Sequence, residues 1–269
     1  MALSNLRRGA AAVRVTAAYA VVLAVVSLGL TALGPHARDV AVSHMSTNLH
    51  NLSHGHLGTL IGSAFVDEGG RAYLWLPGFA CLLALGELLW RGRGLVVTFA
   101  VGHIGATLLV AVGLVVAVEA GWLPVSIARA SDVGVSYGAV CVLGTLTASI
   151  PSHWRPAWVG WWLGLALIAA TGLDFTAVGH VLALLLGIAL SARAPSAHDW
   201  TPARLALLTV GAAFGYFVLS GPSVPATAGG LCASLIAFGA ARAWRTRRDR
   251  YESPARPAGF APVAEFAYA

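Results

Sequence analysis

The chain has 269 residues, of which 58% are hydrophobic and 10% are charged, and its mean hydropathy is +0.76. Soluble domains carry about 25% charged residues, so this composition excludes a soluble globular fold and indicates an integral membrane protein. The net charge is +6, but six of the 17 Arg lie between Arg242 and Arg256 and most others flank apolar stretches. That distribution is typical of charges that orient a membrane protein and contact anionic lipid, so we expect a lipid bilayer and no nucleic acid as partner.

Apolar stretches long enough to cross a bilayer follow one another along the chain. A spanning helix needs about 20 apolar residues. Eight stretches meet this need and predict an all-α polytopic membrane protein, at residues 15–34, 72–90, 95–117, 133–150, 157–173, 176–192, 203–221 and 225–243. The first is longer than the core of about 7–15 residues of a signal peptide, so we interpret it as an uncleaved span.

The distribution of Arg predicts the orientation of these spans. Segments on one side of the membrane hold 14 Arg, whereas those on the other side hold Arg38, Arg71 and Arg129. Because basic residues concentrate in cytoplasmic loops, we predict cytoplasmic termini in a plasma membrane. All basic residues are Arg and none is Lys, which we interpret as the coding bias of a GC-rich, bacterial genome. Residues 1–14 form the cytoplasmic N-terminus, and the basic tail, residues 244–269, is expected to be disordered.

The first outer loop, residues 35–71, is rich in histidine but does not predict a metal site. Metal sites in proteins combine ligands at characteristic spacings. No Cys or carboxylate joins the loop histidines at such a spacing, and the three Cys lie singly in apolar stretches without the pattern of a disulfide framework. We therefore expect neither a metal nor another cofactor. The loop histidines are His44, His50, His54 and His56.

A serine and a histidine lie at matching depths in two spans that enter from the same side. Ser136 is about three residues into the fourth span and His180 about four residues into the sixth, which places both about 5–6 Å below the helix starts. A serine hydroxyl becomes a nucleophile when a neighbouring base accepts its proton. The pair is therefore a candidate catalytic dyad; taken singly, each residue is also typical of polar helix packing.

Small residues flank both members of this pair. Gly134 and Gly138 are spaced i, i+4, and Ala183 and Gly187 follow His180 at i+3 and i+7. Positions spaced by three or four share a helix face, so the fourth and sixth helices are expected to approach closely there.

Four other ionisable residues have structural and functional interpretations. Asp132 occupies an N-cap position before the fourth helix, and Asp174 either caps the sixth helix or orients the imidazole of His180. His103 is a rival base, but it lies about 20 Å from the outer end of its helix, which favours a structural hydrogen bond. Glu87 precedes Arg91 by four residues and predicts an ion pair at the inner end of the second helix.

These residues resemble the rhomboid intramembrane serine proteases, especially the divergent rhomboid-like proteins of actinobacteria, over about residues 15–194. STNLHNLSHGHLGTLIGSAF is similar to the family's membrane-embedded first loop, and LALGELLWRGRGLVVTFAVG to its second helix, basic turn and third helix. GVSYG stands where the family has Gly-x-Ser-Gly, which implies Ser136 as nucleophile, with Tyr137 and the flanking glycines and acids as possible oxyanion or supporting groups. GHVLALLLG matches the sixth-helix histidine, which implies His180 as base.

The resemblance implies a six-helix rhomboid-like core, with residues 195–243 as a linker and two additional C-terminal transmembrane helices. It also implies cleavage of transmembrane-helix substrates through the Ser–His dyad. Two features depart from the family pattern: Tyr137 replaces the glycine after the serine, and Arg71 and Trp75 stand roughly where the second helix normally has His and Asn. One alternative is therefore a catalytically inactive rhomboid-like protein that binds membrane helices as clients. Another is an unrelated transporter or scaffold.

Overall fold

The computed structural model describes residues 12–67, 69, 72–172, 174–196 and 199–252. Every regular element in these residues is helical, with 3-10 turns at Ser63–Phe65, Val125–Arg129 and Leu146–Ala148. The α-helices are α1 (Arg14–Leu33), α2 (Pro35–Met45), α3 (Leu49–Ser53), α4 (Thr59–Gly62), α5 (Ala72–Glu119), α6 (Ser136–Thr145), α7 (Arg155–Ala170), α8 (Phe175–Ser191), α9 (Pro202–Ser220) and α10 (Val224–Glu252).

The helices account for the predicted spans. Among the described residues, α1, α5, α9 and residues 224–248 of α10 are long and apolar enough to cross a membrane, and α6 and α8 are shorter apolar helices. Helix α7, with the sequence RPAWVGWWLGLALIAA, covers the fifth predicted span. The prediction of an all-α polytopic membrane protein is confirmed. Helix α10 continues past the predicted span end at residue 243 to Glu252, so the tail begins as a helix; residues 253–269 lie outside the described part of the chain.

Helix α5 is two antiparallel arms joined at Arg91, whose φ of 61° and ψ of 171° break the helix. The rings of Phe79 and Phe99 lie 6.2 Å apart, whereas twenty residues of straight helix would separate them by about 30 Å. The first arm (residues 72–90) and the second arm (residues 92–119) are therefore two spans, and RGRG forms the predicted basic turn between them.

Helix α6 is the centre of the core, and all its residues from Tyr137 to Thr145 are buried. It approaches α8 so closely that a Cβ on Gly144 would lie 2.6 Å from the Leu184 carbonyl oxygen, and one on Gly187 would collide with the Cys141 backbone. Gly138 does not take part in this contact, because it faces the Phe99 ring on the second arm of α5.

The two C-terminal helices cover different sides of the core. Helix α9 lies against the first arm of α5, where a Cβ on Gly211 would be 2.9 Å from the Leu82 Cα, and Phe214 packs over Gly78. Helix α10 lies along α7, where a Cβ on Gly164 would be 2.6 Å from the Gly229 carbonyl oxygen. Both contacts rely on glycine, as is usual where membrane helices approach closely.

Candidate functional site

Ser136 is the first residue of α6 and lines a cavity between α1, α6 and α9. The side chain is partly exposed, and the cavity has a volume of about 310 Å³. Its wall includes Asp67, Trp75 and Phe214. Trp75, which aligns roughly with one of the family's second-helix positions, thus lines the same cavity as Ser136; Arg71, the other aligned residue, lies outside the described residues.

Tyr137 is the residue whose side chain meets His180. The two rings pack edge to face with centroids 5.4 Å apart and planes at 81°. Room for the phenol comes from Gly179, because a Cβ at that position would collide with the tyrosine ring. Tyr137 is 2% exposed and His180 is 7% exposed, so the contact is closed to solvent.

Ser136 and Tyr137 lie on different faces of α6 because consecutive helical residues are about 100° apart. The face of Tyr137 continues through Cys141 and contacts α8. The face of Ser136 continues towards Leu143, which packs against α9. A Cβ added to Gly215 of α9 would lie 2.6 Å from the Leu143 side chain. Among the described residues, no hydrogen bond joins Ser136 to His180, and the His180 Nε2 has no hydrogen-bond partner. The Ser136–His180 dyad stays a prediction.

A family model for rhomboid-like proteins matches residues 10–198, which is more than half of the chain. The chain belongs to the rhomboid-like protein family. The match ends before α9, so the two C-terminal helices lie outside the matched residues. In the comparisons with curated proteins and with solved structures, nothing matches.

The acidic residues of this rhomboid-like protein support backbone structure near the site. The Asp174 carboxylate caps α8 by accepting a hydrogen bond from the Thr176 N–H at 3.1 Å. Asp132 does not cap α6, whose N-cap is Val135 without a side-chain cap hydrogen bond. The Asp132 N–H instead donates to the Ser46 hydroxyl at 2.8 Å.

The segment before α6 is tied to the first loop. The Asp132 carbonyl accepts from the Thr47 N–H at 2.9 Å, and the Gly134 N–H donates to the Ser63 carbonyl at 2.8 Å. Gly134 has a φ of +120°, a conformation that favours glycine. These bonds hold the segment in an extended course, which explains why the helix begins at Ser136, three residues later than the predicted span.

A buried serine–histidine contact elsewhere, between residues that the sequence did not pair, fixes the first loop of the rhomboid-like protein to the second arm of α5. The Ser63 Oγ lies 3.1 Å from the His103 Nε2 and 2.9 Å from the Thr47 Oγ1. Ser63 is 1% exposed and His103 is 5% exposed, so a peptide bond has no access to the hydroxyl. The expected structural role of His103 fits this contact. In the sequence, the only sign of this contact is that His103 lies in an apolar helix and therefore needs a polar partner.

Three histidines of the first loop, His50, His54 and His56, form a surface row. The ring centroids of His50 and His54 are 4.4 Å apart, and those of His54 and His56 are 6.4 Å apart. Partial desolvation and the positive neighbours His54, Arg129 and His56 lower the pKa of His50. Within the described part of the chain, no group of three or more His, Cys, Asp and Glu is placed to hold a metal ion.

Proposed function

We propose that this rhomboid-like protein binds membrane-spanning helices without cleaving them. The observation that carries the proposal is the packing of the Tyr137 ring on His180, with centroids 5.4 Å apart. A base that activates a serine must reach its hydroxyl within hydrogen-bond distance. Here the imidazole is covered by a phenol ring, while the Ser136 side chain faces a cavity shared with α9.

The family motif supports the same conclusion when it is aligned by this contact. Aligned on its first glycine, Gly-x-Ser-Gly puts Ser136 at the serine position. Aligned on its last glycine, Gly138, the motif puts Tyr137 there, and Tyr137 is the residue that faces His180. A phenol with an ordinary pKa of about 10 replaces an aliphatic hydroxyl in this alignment, and its ring fills the space that an acyl group would need beside the imidazole.

The first arm of α5 also lacks the His and Asn that the family pattern has beside the oxyanion. It contains no His and no Asn between residues 72 and 90, and Trp75 offers one indole N–H. Loss of one such donor costs an acyl-transfer enzyme about 10²–10³ in rate. A protein that holds clients needs no oxyanion site, but it does need apolar helix faces within the bilayer. Such faces are exposed on α1 at Val25 and Leu28 and on α10 at Leu235 and Ile236.

The second candidate is an intramembrane serine protease that cleaves transmembrane helices through Ser136 and His180. One observation favours it: Ser136 is partly exposed and lines a cavity of about 310 Å³, with Asp67 in its wall. An attacking hydroxyl needs such access to water and substrate. This function would require a movement that replaces Tyr137 by Ser136 beside His180.

Labelling by a fluorophosphonate probe separates the two functions. We expect the purified full-length protein in bilayer discs to be labelled no more strongly than its Ser136→Ala and His180→Ala variants. Matched variants are Ser136→Ala and His180→Ala, with Tyr137→Phe as a control that keeps the ring contact. Labelling of the wild type that disappears in both Ala variants would refute the proposal and establish the protease.

Client binding is tested by photo-crosslinking in the native membrane. A photoreactive residue at Leu28, which is 70% exposed on α1, should capture uncleaved proteins through their transmembrane segments. The same residue at Gly55, in the exposed part of the first loop, is the control. Products joined at Leu28 only to soluble domains, or to fragments cut within a span, would contradict client binding.

The cellular setting is a proposal of the same kind. The chain is a multi-pass integral membrane protein of the rhomboid-like family. We infer a bacterial plasma membrane with both termini in the cytoplasm from the Arg-only basic residues and their distribution, and an actinobacterial source from the family resemblance alone. Alkaline phosphatase fused after Glu252 should be inactive and a fluorescent protein fused there should be bright; the opposite pattern would reverse the orientation.

A further inference from the structure

We propose that the groove between α3, the second arm of α5 and the 3-10 turn Val125–Arg129 binds an anionic phospholipid. The phosphate would lie at Arg129 and His50, and one acyl chain would lie along the second arm of α5. This site is separate from Ser136 and His180, and its occupation does not depend on whether the protein cleaves or binds membrane helices.

The groove has an open apolar wall. Its volume is about 880 Å³. Leu108, Val112 and Val116 of α5 recur at intervals of four and therefore share a helix face. They are 42%, 64% and 56% exposed, so the described residues leave about half of this stripe uncovered. The stripe is about 12 Å long at the rise of an α-helix, and Leu49 and Leu52 of α3 form the opposite wall.

The rim of the groove is positive and has no acidic residue among the described residues that line it. Arg129 is exposed. Its charge is close enough to His50 to contribute to lowering the pKa of that imidazole. An arginine guanidinium binds phosphate oxygens through two parallel hydrogen bonds, and the Ser126 hydroxyl beside it is a further donor.

The position of the rim matches the headgroup region of a bilayer. The second arm of α5 spans the membrane and ends at Glu119, and Trp122, which follows it, is 77% exposed. Exposed tryptophan marks the membrane–water interface. A ligand that uses both the rim and the apolar stripe must therefore be amphipathic and come from the bilayer. A free phosphate or a soluble acidic peptide would leave the stripe uncovered.

The test is native mass spectrometry of the full-length protein with phosphatidylglycerol and phosphatidylcholine of the same chain length. We expect the wild type to bind phosphatidylglycerol about tenfold more tightly, a ratio that corresponds to about 1.4 kcal/mol. Arg129→Gln should remove this preference. The matched control is Arg38→Gln on α2, an arginine that does not line the groove, and it should keep the preference.

A second variant tests the apolar stripe. Val112→Trp fills the groove without changing its charge and should weaken the binding of both lipids. Inorganic phosphate in excess should fail to displace phosphatidylglycerol, because it cannot use the stripe. Equal binding of the two lipids by the wild type, an undiminished preference in Arg129→Gln, or full displacement by inorganic phosphate would each overturn the proposal.

Discussion

Glu87 connects the start of α1 to the first arm of α5, and its replacement tests how the membrane core is held together. Its carboxylate accepts hydrogen bonds from the Val15 N–H at 3.0 Å, the Thr16 N–H at 2.8 Å and the Thr16 hydroxyl at 2.8 Å. The side chain is 3% exposed. Glu87→Gln preserves the shape of the side chain but leaves only one acceptor oxygen. The new amide N–H₂ then faces a backbone N–H of α1, which is also a donor.

The expected cost follows from these contacts. One lost hydrogen bond to a charged group costs about 1.5–3 kcal/mol, and removal of a negative charge from a helix N-terminus costs about 0.3–1 kcal/mol. We therefore expect Glu87→Gln to lower the free energy of unfolding by about 2–4 kcal/mol, measured by steric trapping in bilayer discs. Glu119→Gln, at the exposed end of α5, should change it by no more than about 0.5 kcal/mol. Equal changes in the two variants would refute the reasoning.

Three further predictions concern packing, the buried polar contact and pH. Gly187→Ala forces a Cβ into the α6 backbone and should lower the free energy of unfolding by about 1–3 kcal/mol, whereas Gly113→Ala, with nothing within 4 Å, should not lower it. Ser63→Ala leaves the His103 imidazole without its partner and should cost about 1–3 kcal/mol, with faster proteolysis of the first loop; unchanged stability and proteolysis would contradict the role of this contact. Because the pKa of His50 is lowered, its folded-state NMR titration should have a midpoint below about 6.5. Folding favours the neutral form of His50, so the protein loses stability only as pH falls below about 6.5, the ordinary pKa of histidine. A midpoint above that value would mean that protonation of His50 stabilises the fold, contrary to this prediction.

Hydropathy was sufficient to predict the helical composition of the fold, because a bilayer imposes the same length and polarity on each span. It was less able to predict where helices begin and end. The span predicted to begin at residue 133 begins as a helix at Ser136, since the preceding backbone groups bond to the first loop. Helix α10 continues to Glu252, because hydropathy falls at the membrane surface while helical hydrogen bonding does not.

Contacts between distant segments were not predictable from local spacing. The spacing of Glu87 and Arg91 predicted an ion pair, and this prediction was wrong: Glu87 bonds to the start of α1, more than seventy residues away. A buried helix N-terminus offers unpaired N–H groups. These compete with the Arg91 guanidinium, at the helix break, for the Glu87 carboxylate. The Ser63–His103 contact escaped prediction for the same reason, because forty residues separate its members.

The depth of a residue along a helix was predictable, but its direction around the helix axis was not. Ser136 and His180 were assigned similar depths from the rise per residue. The direction of Ser136 depends on the rotation of α6, and a one-residue difference in that rotation is about 100°. The family motif allows two alignments one residue apart, and the proposed function rests on the one that agrees with the contact between Tyr137 and His180.

The packing around α6 explains why its rotation is not free to change. A rotation that carried Ser136 to the side of α8 would carry Tyr137 to the place of Gly138, where the Phe99 ring leaves no room even for a Cβ. The same rotation would bring Leu143 into the place of Gly144, where the α8 backbone permits no side chain. Interiors are close-packed, so such overlaps are not absorbed by small shifts. In the proposed function, the whole three-helix contact therefore keeps Ser136 apart from His180, and a change of side-chain rotamer alone would not bring them together.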